Sequence, residues 1–563
     1  MRKPSLLTVA LLISVGVLLA SCGPVPTPEI VRETVVQEKT VEKVVTATPA
    51  PESTKASPGA DTLVVNLDRV NVGGMDASQT VESTGKKAAF HISETLVEFD
   101  EQANDVKPKL AERWEADPDG LTYTFYLRKG VKFQDGTDFN ADAVVTSLMR
   151  IYDEKHPLHS MGTFPYASFT PIKSVDKVDD YTVKVTATRE DPIFLWRMSM
   201  EAAYIQSPTA MEKWGKEYTN HAVGTGPYRL AEFDPQSKIV LERFDDYWGA
   251  KPSVKTIVFK INPDDQSRVA DLLAGNVDII TRPPADLLET LRSTPGIKVD
   301  VFPLRWLGYI NLNSSVPPLN DKLVRQAVNY AFDRETLSNV LNNGTTKAQY
   351  NVWFEGAYAY EPNFTKYTFD VEKAKTLLEQ AGWTLPAGRT IREKDGKPLE
   401  IRLAQAGTLY GPEAPIPELF QANMRDIGMD VKIVKIDPAV FFDEKVGGVN
   451  PANAEATVFG WIAFLPDPSF VFDRFTKGSI PPGGYNLCFY SDPKVEDLYT
   501  KSLSELDLEK RAEYFKEIQR IVTEEAVMLP NSLVTLPMAW NERVSGFHVR
   551  GNVTLDLTGV TIK

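Results

Sequence analysis

Ala111-Glu-Arg-Trp-Glu-Ala-Asp-Pro-Asp-Gly-Leu-Thr-Tyr-Thr-Phe-Tyr-Leu-Arg-Lys-Gly-Val-Lys-Phe-Gln-Asp-Gly-Thr-Asp-Phe-Asn-Ala-Asp-Ala-Val144 passes from one kind of secondary structure to another within a single stretch. Leu121 to Leu127 alternates, as a half-buried strand does. The helix that follows is announced by Asn140, a capping residue. Asp142 then falls in its first turn, and Val144, Val145, Leu148 and Ile151 follow at helical spacing. The same mixture continues on both sides. Thr62-Leu-Val-Val-Asn66 reads as a buried strand, and Tyr181 to Ala187 and Tyr228 to Phe233 as further strands. Ser267 to Ala274 reads as a helix stopped by Gly275 and followed at once by the strand Val277-Asp-Ile-Ile280. Asp370 to Gly382 carries both a start and a stop signal for a helix, and Leu508 to Thr523 is another. A late strand runs from Ser532 to Trp540. Strands and helices are interleaved throughout, so the class is α/β, and no internal repeat is visible.

The chain has 563 residues, 42% hydrophobic and 25% charged, enough to build more than one core. Its start is different in kind. Arg2 and Lys3 precede an apolar run of about fifteen residues from Leu6 to Ala20, and Leu19-Ala-Ser-Cys22 closes it. That order is a secretory signal, and a bilayer span would need about twenty apolar residues. With Cys22 after Leu-Ala-Ser, the segment looks like a bacterial lipoprotein signal: 1–21 removed and Cys22 acylated. Two acyl chains anchor stably where one does not. From Gly23 to about Ala60 the chain is rich in Pro, Thr, Glu and Val and lacks aromatic residues, the composition of a tether reaching about 35 Å. The expected location is extracytoplasmic, held to the cell membrane by lipid. Loss of Arg2 and Lys3 takes the formal charge from −14 to −16, which argues against nucleic acid as a partner. With Cys22 acylated, Cys488 has no partner for a disulfide, and its apolar neighbours suggest a buried, inert thiol.

Motifs of catalysis are missing. There is no G-x-x-x-x-G-K-[ST], no H-E-x-x-H and no G-x-S-x-G. Gly224-Thr-Gly226-Pro reads as a tight turn before a strand rather than a nucleotide loop. His156-Pro-Leu-His159 has no third ligand near in sequence, so no metal is expected there. No cofactor is implied either. Asp245-Asp246 and Asp264-Asp265 stand in turn or capping contexts. What stands out is aromatic: Trp306-Leu-Gly-Tyr309, Tyr350-Asn-Val-Trp-Phe354, Tyr358-Ala-Tyr360 and Phe459-Gly-Trp-Ile-Ala-Phe464. Singly these suit a core, and as a set they also suit an apolar cleft with a few polar anchors.

The opening stretch resembles the signature region of the family 5 extracellular solute-binding proteins, the binding components of peptide, nickel and oligosaccharide ABC importers. Gly224-Thr-Gly-Pro-Tyr228, Tyr247-Trp-Gly249, Asn311-Leu-Asn313, Val324 to Ala331 and Ala374 to Trp383 match in the family's order, from about Asp61 to the C-terminus. The resemblance implies a large, cluster C-like, type II periplasmic-binding-protein fold with two lobes that close on a solute. It also implies an extra domain in the first lobe and no catalysis. Lobe 1 would comprise 61–95, 222–304 and 533–563, the inserted domain 96–221, and lobe 2 305–532. The implied partners are a permease and ATPase complex, with the protein acting as a monomer.

The resemblance also points to a site: Trp461, Ile462, Ala463 and Phe464 on a strand lining the cleft, with Asp467, Trp306, Tyr309 and Tyr485 nearby. In peptide-binding members an aspartate three residues after the Trp pairs with the peptide's amino group, but here that position is Phe464. Asp467 is the neighbouring residue that would have to replace it. Nickel-type members place a histidine close by, and none lies between Trp461 and Phe475. A peptide is the first expectation for the solute and an oligosaccharide the second, since an aromatic at 464 also suits a sugar face. The alternatives from other classes are a surface sensor or adaptor, and a secreted hydrolase, which would need a nucleophile, metal or acid pair.

Overall fold

The computed structural model describes residues 61–68, 74–76, 83–118, 120–159, 171–405, 415–436 and 453–563. Cys22 and the segment 22–60 lie outside these residues.

Ile297–Leu312 and Met528–Asn541 organise the main sheet. They pair antiparallel from Ile297 opposite Asn541 to Asn311 opposite Met528, with register breaks between Pro303 and Leu307 and between Gly308 and Tyr309. Pro303 has no N–H for the ladder, and Gly308 lets Asn531 and Ser532 approach to where a Cβ would sit, 2.7 and 2.8 Å away. Beyond one side of the break the sheet continues through Ile279–Thr281, Thr62–Leu67, Thr256–Ile261, Lys238–Arg243 and Tyr228–Asp234. Beyond the other it continues through Ala456–Ile462, Glu400–Gln405 and Asp430–Lys435. Two long strands therefore serve two lobes.

Each lobe has its own core. In the first, Leu63, Val65, Ile239, Leu241, Ile257 and Phe259 project from alternate positions of neighbouring strands. In the second, Ile310, Leu312, Ile401 and Leu403 of the sheet pack against Val324, Leu378 and Phe420 of the helices Lys322–Ala331, Val371–Gln380 and Ile416–Asp426. A separate four-stranded sheet, in the order Ala111–Ala116, Thr122–Leu127, Thr182–Ala187, Ile172–Asp179, packs on the helix Ala141–Tyr152. The architecture is two-lobed α/β.

The local signals act as the sequence predicts. The Asn140 side chain accepts from Ala143 N, Asp264 from Ser267 N and Asp370 from Lys373 N, each satisfying an otherwise unpaired donor in a helix's first turn. Gly275 and Gly382 take the left-handed conformation just past their helices, at φ +74° and +85°. The late strand is longer than predicted, because Met528–Asn541 serves both lobes. The opening stretch contributes a tie: Gln134 donates its amide to the carbonyls of Ile92, Gly226 and Tyr228 and accepts from Gly224 N. Gly224 and Gly226 are needed there, since a Cβ would fall 2.2 Å from the Ile92 carbonyl and 2.5 Å from that of His91.

Candidate functional site

A cavity of about 450 Å³, within the range of small-molecule sites, lies where these ties converge. One wall comes from the first lobe and the four-stranded unit: Phe90, Glu94, Glu98, Glu101, Lys109, Glu201, Tyr204, Trp248, Arg550 and Asp556. Arg305, Phe464 and Leu465 face it. The segments that supply it are far apart in sequence, and charged side chains hold them together.

Glu94 accepts from Tyr247 Oη at 2.7 Å, Trp248 Nε1 at 2.8 Å and Thr225 Oγ1 at 2.9 Å, with Lys109 Nζ at 3.2 Å. This explains Tyr247-Trp-Gly249: ring donors at adjacent positions reach one buried carboxylate. Glu98 pairs with Lys109 and Arg550. Glu101 accepts from Arg305 Nη1 at 2.7 Å and Gly551 N at 3.2 Å. Asp556 accepts from Thr558 and Arg550. Burial by itself would raise the pKa of these last three acids. Lys109 and Arg550 beside Glu98, Arg305 beside Glu101, and Thr558 and Arg550 beside Asp556 outweigh it, holding all three below the usual carboxylate values. Burial likewise opposes the charge on Lys109, and Glu94 and Glu98 more than offset it.

Arg305 joins the cavity to the second lobe. It donates to the carbonyls of Ala463 and Phe464, at 3.2 and 3.1 Å, besides its pair with Glu101. It sits within the register break of Ile297–Leu312, where the backbone leaves the ladder and its N–H donates to the Gly551 carbonyl instead. Across the cavity the Lys86 ammonium lies 4.5 Å from the centre of the Phe464 ring and 3.9 Å from the Glu201 carboxylate.

Of the eight cleft residues expected from sequence, the lining includes Phe464. Ala463 is buried and supplies the backbone that Arg305 grips. Ile462 lies opposite Trp306, Trp461 opposite Leu307, and Phe459 opposite Tyr309 in the antiparallel pairing. Trp461 stacks over the Arg474 guanidinium at 4.6 Å and lies 5.2 Å from the Tyr485 ring, so those two expected residues are neighbours. Tyr309 is buried beneath them, hydrogen-bonded to Arg474. Trp306 lies apart, 5.7 Å from Arg282. Asp467 is wholly buried and its carboxylate is taken up by Arg511 and Ser469, so it offers no acceptor to the cavity.

Sequence reasoning did not single out Glu94, Glu98, Glu101, Glu201, Arg305 or Arg550. Three of the acids are visible as Glu94-Thr-Leu-Val-Glu98-Phe-Asp-Glu101, but such a run reads as a solvated face until its cations, as much as 452 positions away, are known. Cys488 is buried and donates to Asn311 Oδ1, with burial pushing its thiol up to about 12. No group of three or more His, Cys, Asp or Glu side chains among the described residues is arranged to hold a metal ion.

Two lobes sharing a pair of long strands, with a charged cavity near the crossing, define a solute-binding protein of the two-lobed α/β type. Residues 105–481 match the model for the bacterial extracellular solute-binding proteins, family 5 (middle region), and the chain belongs to that family. It is 30% identical over 515 residues to the dipeptide-binding protein of Escherichia coli (strain K12), covering 88% of this chain and 93% of that one. It is 31% identical over 508 residues to the heme-binding protein A of Haemophilus influenzae, covering 84% of this chain and 87% of that one. Among solved structures, HbpA2 from Haemophilus parasuis superposes with a TM-score of 0.77 at 30% identity, covering 89% of this chain and all of the other. DppA from Helicobacter pylori, in complex with the peptide STSA, gives 0.72 at 26%, covering 89% and 98%. The family is one of binding proteins of ABC transporters, and the chain is not an enzyme.

Proposed function

We propose that this protein is the substrate-binding lipoprotein of an ABC importer, capturing a short peptide between its lobes and delivering it to the membrane permease and ATPase. The observation that carries this reading is the charge pattern of the cavity, where acids and cations face one another beside the aromatic side chains Phe90, Tyr204 and Phe464. A solute with a cationic group and apolar side chains complements such a lining, whereas a neutral sugar offers nothing to the acid that the cations of the wall leave over. Similarity to the E. coli dipeptide-binding protein supports the same class. In this reading 61–95, 222–304 and 533–563 form lobe 1, 96–221 the inserted domain and 305–532 lobe 2, closing by a hinge at the register break. Trp461, Ile462, Tyr309 and Tyr485 support the cleft strand, and Trp306 stands opposite Ile462 on the adjoining strand. The protein acts as a monomer, held outside the cytoplasm by lipid on Cys22.

The test is a thermal-shift screen followed by calorimetry, using the soluble form from residue 23 onward against di- to tetrapeptides and neutral oligosaccharides. A specific ligand stabilises by RT ln(1 + [L]/Kd), about 2.7 kcal/mol at a hundredfold excess over Kd. Peptides should raise the melting temperature. Stabilisation by oligosaccharides alone would overturn the peptide reading in favour of sugar.

A further inference from the structure

Glu201 differs from every other acid of the cavity. It begins the short turn Glu201–Ala203, is 8% exposed and lines the cavity directly. Glu94, Glu98, Glu101 and Asp556 each accept at least one hydrogen bond and pair with a cation at 3.5 Å or less. The Glu201 carboxylate accepts none among the described residues, and the cation nearest to it, Lys86, stands at 3.9 Å, too far to donate. Lys86 is also turned toward the Phe464 ring. A buried carboxylate is costly unless hydrogen-bonded. The five acids of the lining face Lys109, Arg305 and Arg550, with Lys86 behind, so the acids remain one in excess. Among the described residues, Glu201 thus combines acceptor capacity that no donor fills with a place in a lining whose acids exceed its cations by one.

We propose that Glu201 is the anchor for a cationic group of the solute, a primary ammonium such as the amino terminus of a peptide. This rests on the peptide reading above and adds the residue and the chemistry it selects. An ammonium at hydrogen-bond distance would fill both vacant acceptor sites and neutralise the excess charge. The rings of Phe464 and Tyr204, which also line the cavity, offer it aromatic surface. A magnesium or calcium ion is a poor alternative occupant, since either needs six or more oxygen ligands and the neighbouring acids are already engaged.

The experiment is calorimetry with a panel of alanine di-, tri- and tetrapeptides and their N-acetylated counterparts, on the soluble wild type and on Glu201→Gln. Wild type is expected to bind the free-amine peptides about tenfold or more tighter than the acetylated ones, the order of one charge-assisted hydrogen bond. Glu201→Gln should lose most of that preference, chiefly through weaker binding of the free-amine peptides. If the variant does not fold, the wild type alone decides: its preference for free amines should vanish between pH 7 and 9.5, as the peptide amino group deprotonates above a pKa of about 8. A preference that survives Glu201→Gln, or persists in wild type at pH 9.5, overturns the assignment and leaves the peptide reading standing. A wild type that binds no member of either panel overturns both.

Discussion

Asp467 and Arg511 form a two-point ion pair sealed inside the second lobe. Arg511 Nη2 donates to Asp467 Oδ1 at 2.9 Å and Nη1 donates to Oδ2, and neither side chain is more than 1% exposed. Burial would raise the Asp467 pKa, but Arg511 outweighs it and holds the carboxyl below its ordinary value. Asp467 lies five residues after the strand Ala456–Ile462, and Arg511 belongs to the helix Leu508–Glu524. The pair therefore fixes where the chain turns after leaving the cavity wall.

Asp467→Asn should destabilise the protein by about 3–5 kcal/mol, because it leaves a guanidinium buried without its counter-charge. Urea denaturation followed by fluorescence would show this as a lower midpoint with little change in slope. A midpoint equal to wild type would mean that Arg511 finds another partner.

Arg474 presents the opposite case. It is 1% exposed, donates to the Tyr309 hydroxyl and stacks on Trp461, while its Nε has no partner among the described residues. No carboxylate lies within ion-pair distance of it among those residues. Arg474→Met keeps comparable volume and removes a buried charge, so stability should rise or change by less than about 1 kcal/mol. A loss above about 3 kcal/mol would show that the guanidinium holds Trp461 and Tyr309 in place.

His91 ties the first-lobe helix to the C-terminal segment, with Nδ1 2.7 Å from the Lys87 carbonyl and Nε2 accepting from Leu557 N at 3.0 Å. This arrangement requires a neutral ring. Burial lowers its pKa from the ordinary 6.5, with Asp556 acting in the other sense and Arg550 with burial. Below pH 6.5 the unfolded chain takes up a proton that the native ring resists, so stability falls as pH falls from there toward the native pKa. Buried carboxylates with lowered pKa values add their own loss nearer pH 4. The melting temperature should be flat above about pH 7 and decline from about pH 6.5, and His91→Gln should flatten the first part of that decline. An identical profile in the variant would remove His91 as its cause.

If Cys22 carries lipid as proposed, Cys22→Ser should release the protein from membranes and leave its melting temperature unchanged, because position 22 lies outside the segments that build the two lobes. Fractionation of cells expressing the variant is the measurement, and full retention in the membrane pellet would rule out lipid attachment at Cys22.

Several elements were legible because their causes are local. Asn140, Asp264 and Asp370 cap helices through donors three residues on, and Gly275 and Gly382 end helices by a backbone conformation that side chains disfavour. Alternation in Thr182–Ala187 predicted a strand half-buried in the same alternation. The run Met528 to Asn531 was harder to read, because a strand crossing from one lobe to the other meets two environments and its burial follows no single period.

By itself the sequence determined the α/β class, the family and the segments able to be strand or helix, because periodicity, caps and turn residues act within a few positions. The tertiary structure alone decided which charges line the cavity. Glu94, Glu201, Arg305 and Arg550 come from four segments far apart in sequence, and a charged residue's role depends on its burial and its partner. Asp467 and Glu201 carry the same functional group; one is closed by Arg511 and the other left with room for a cation, a difference that only the folded arrangement of their neighbours creates.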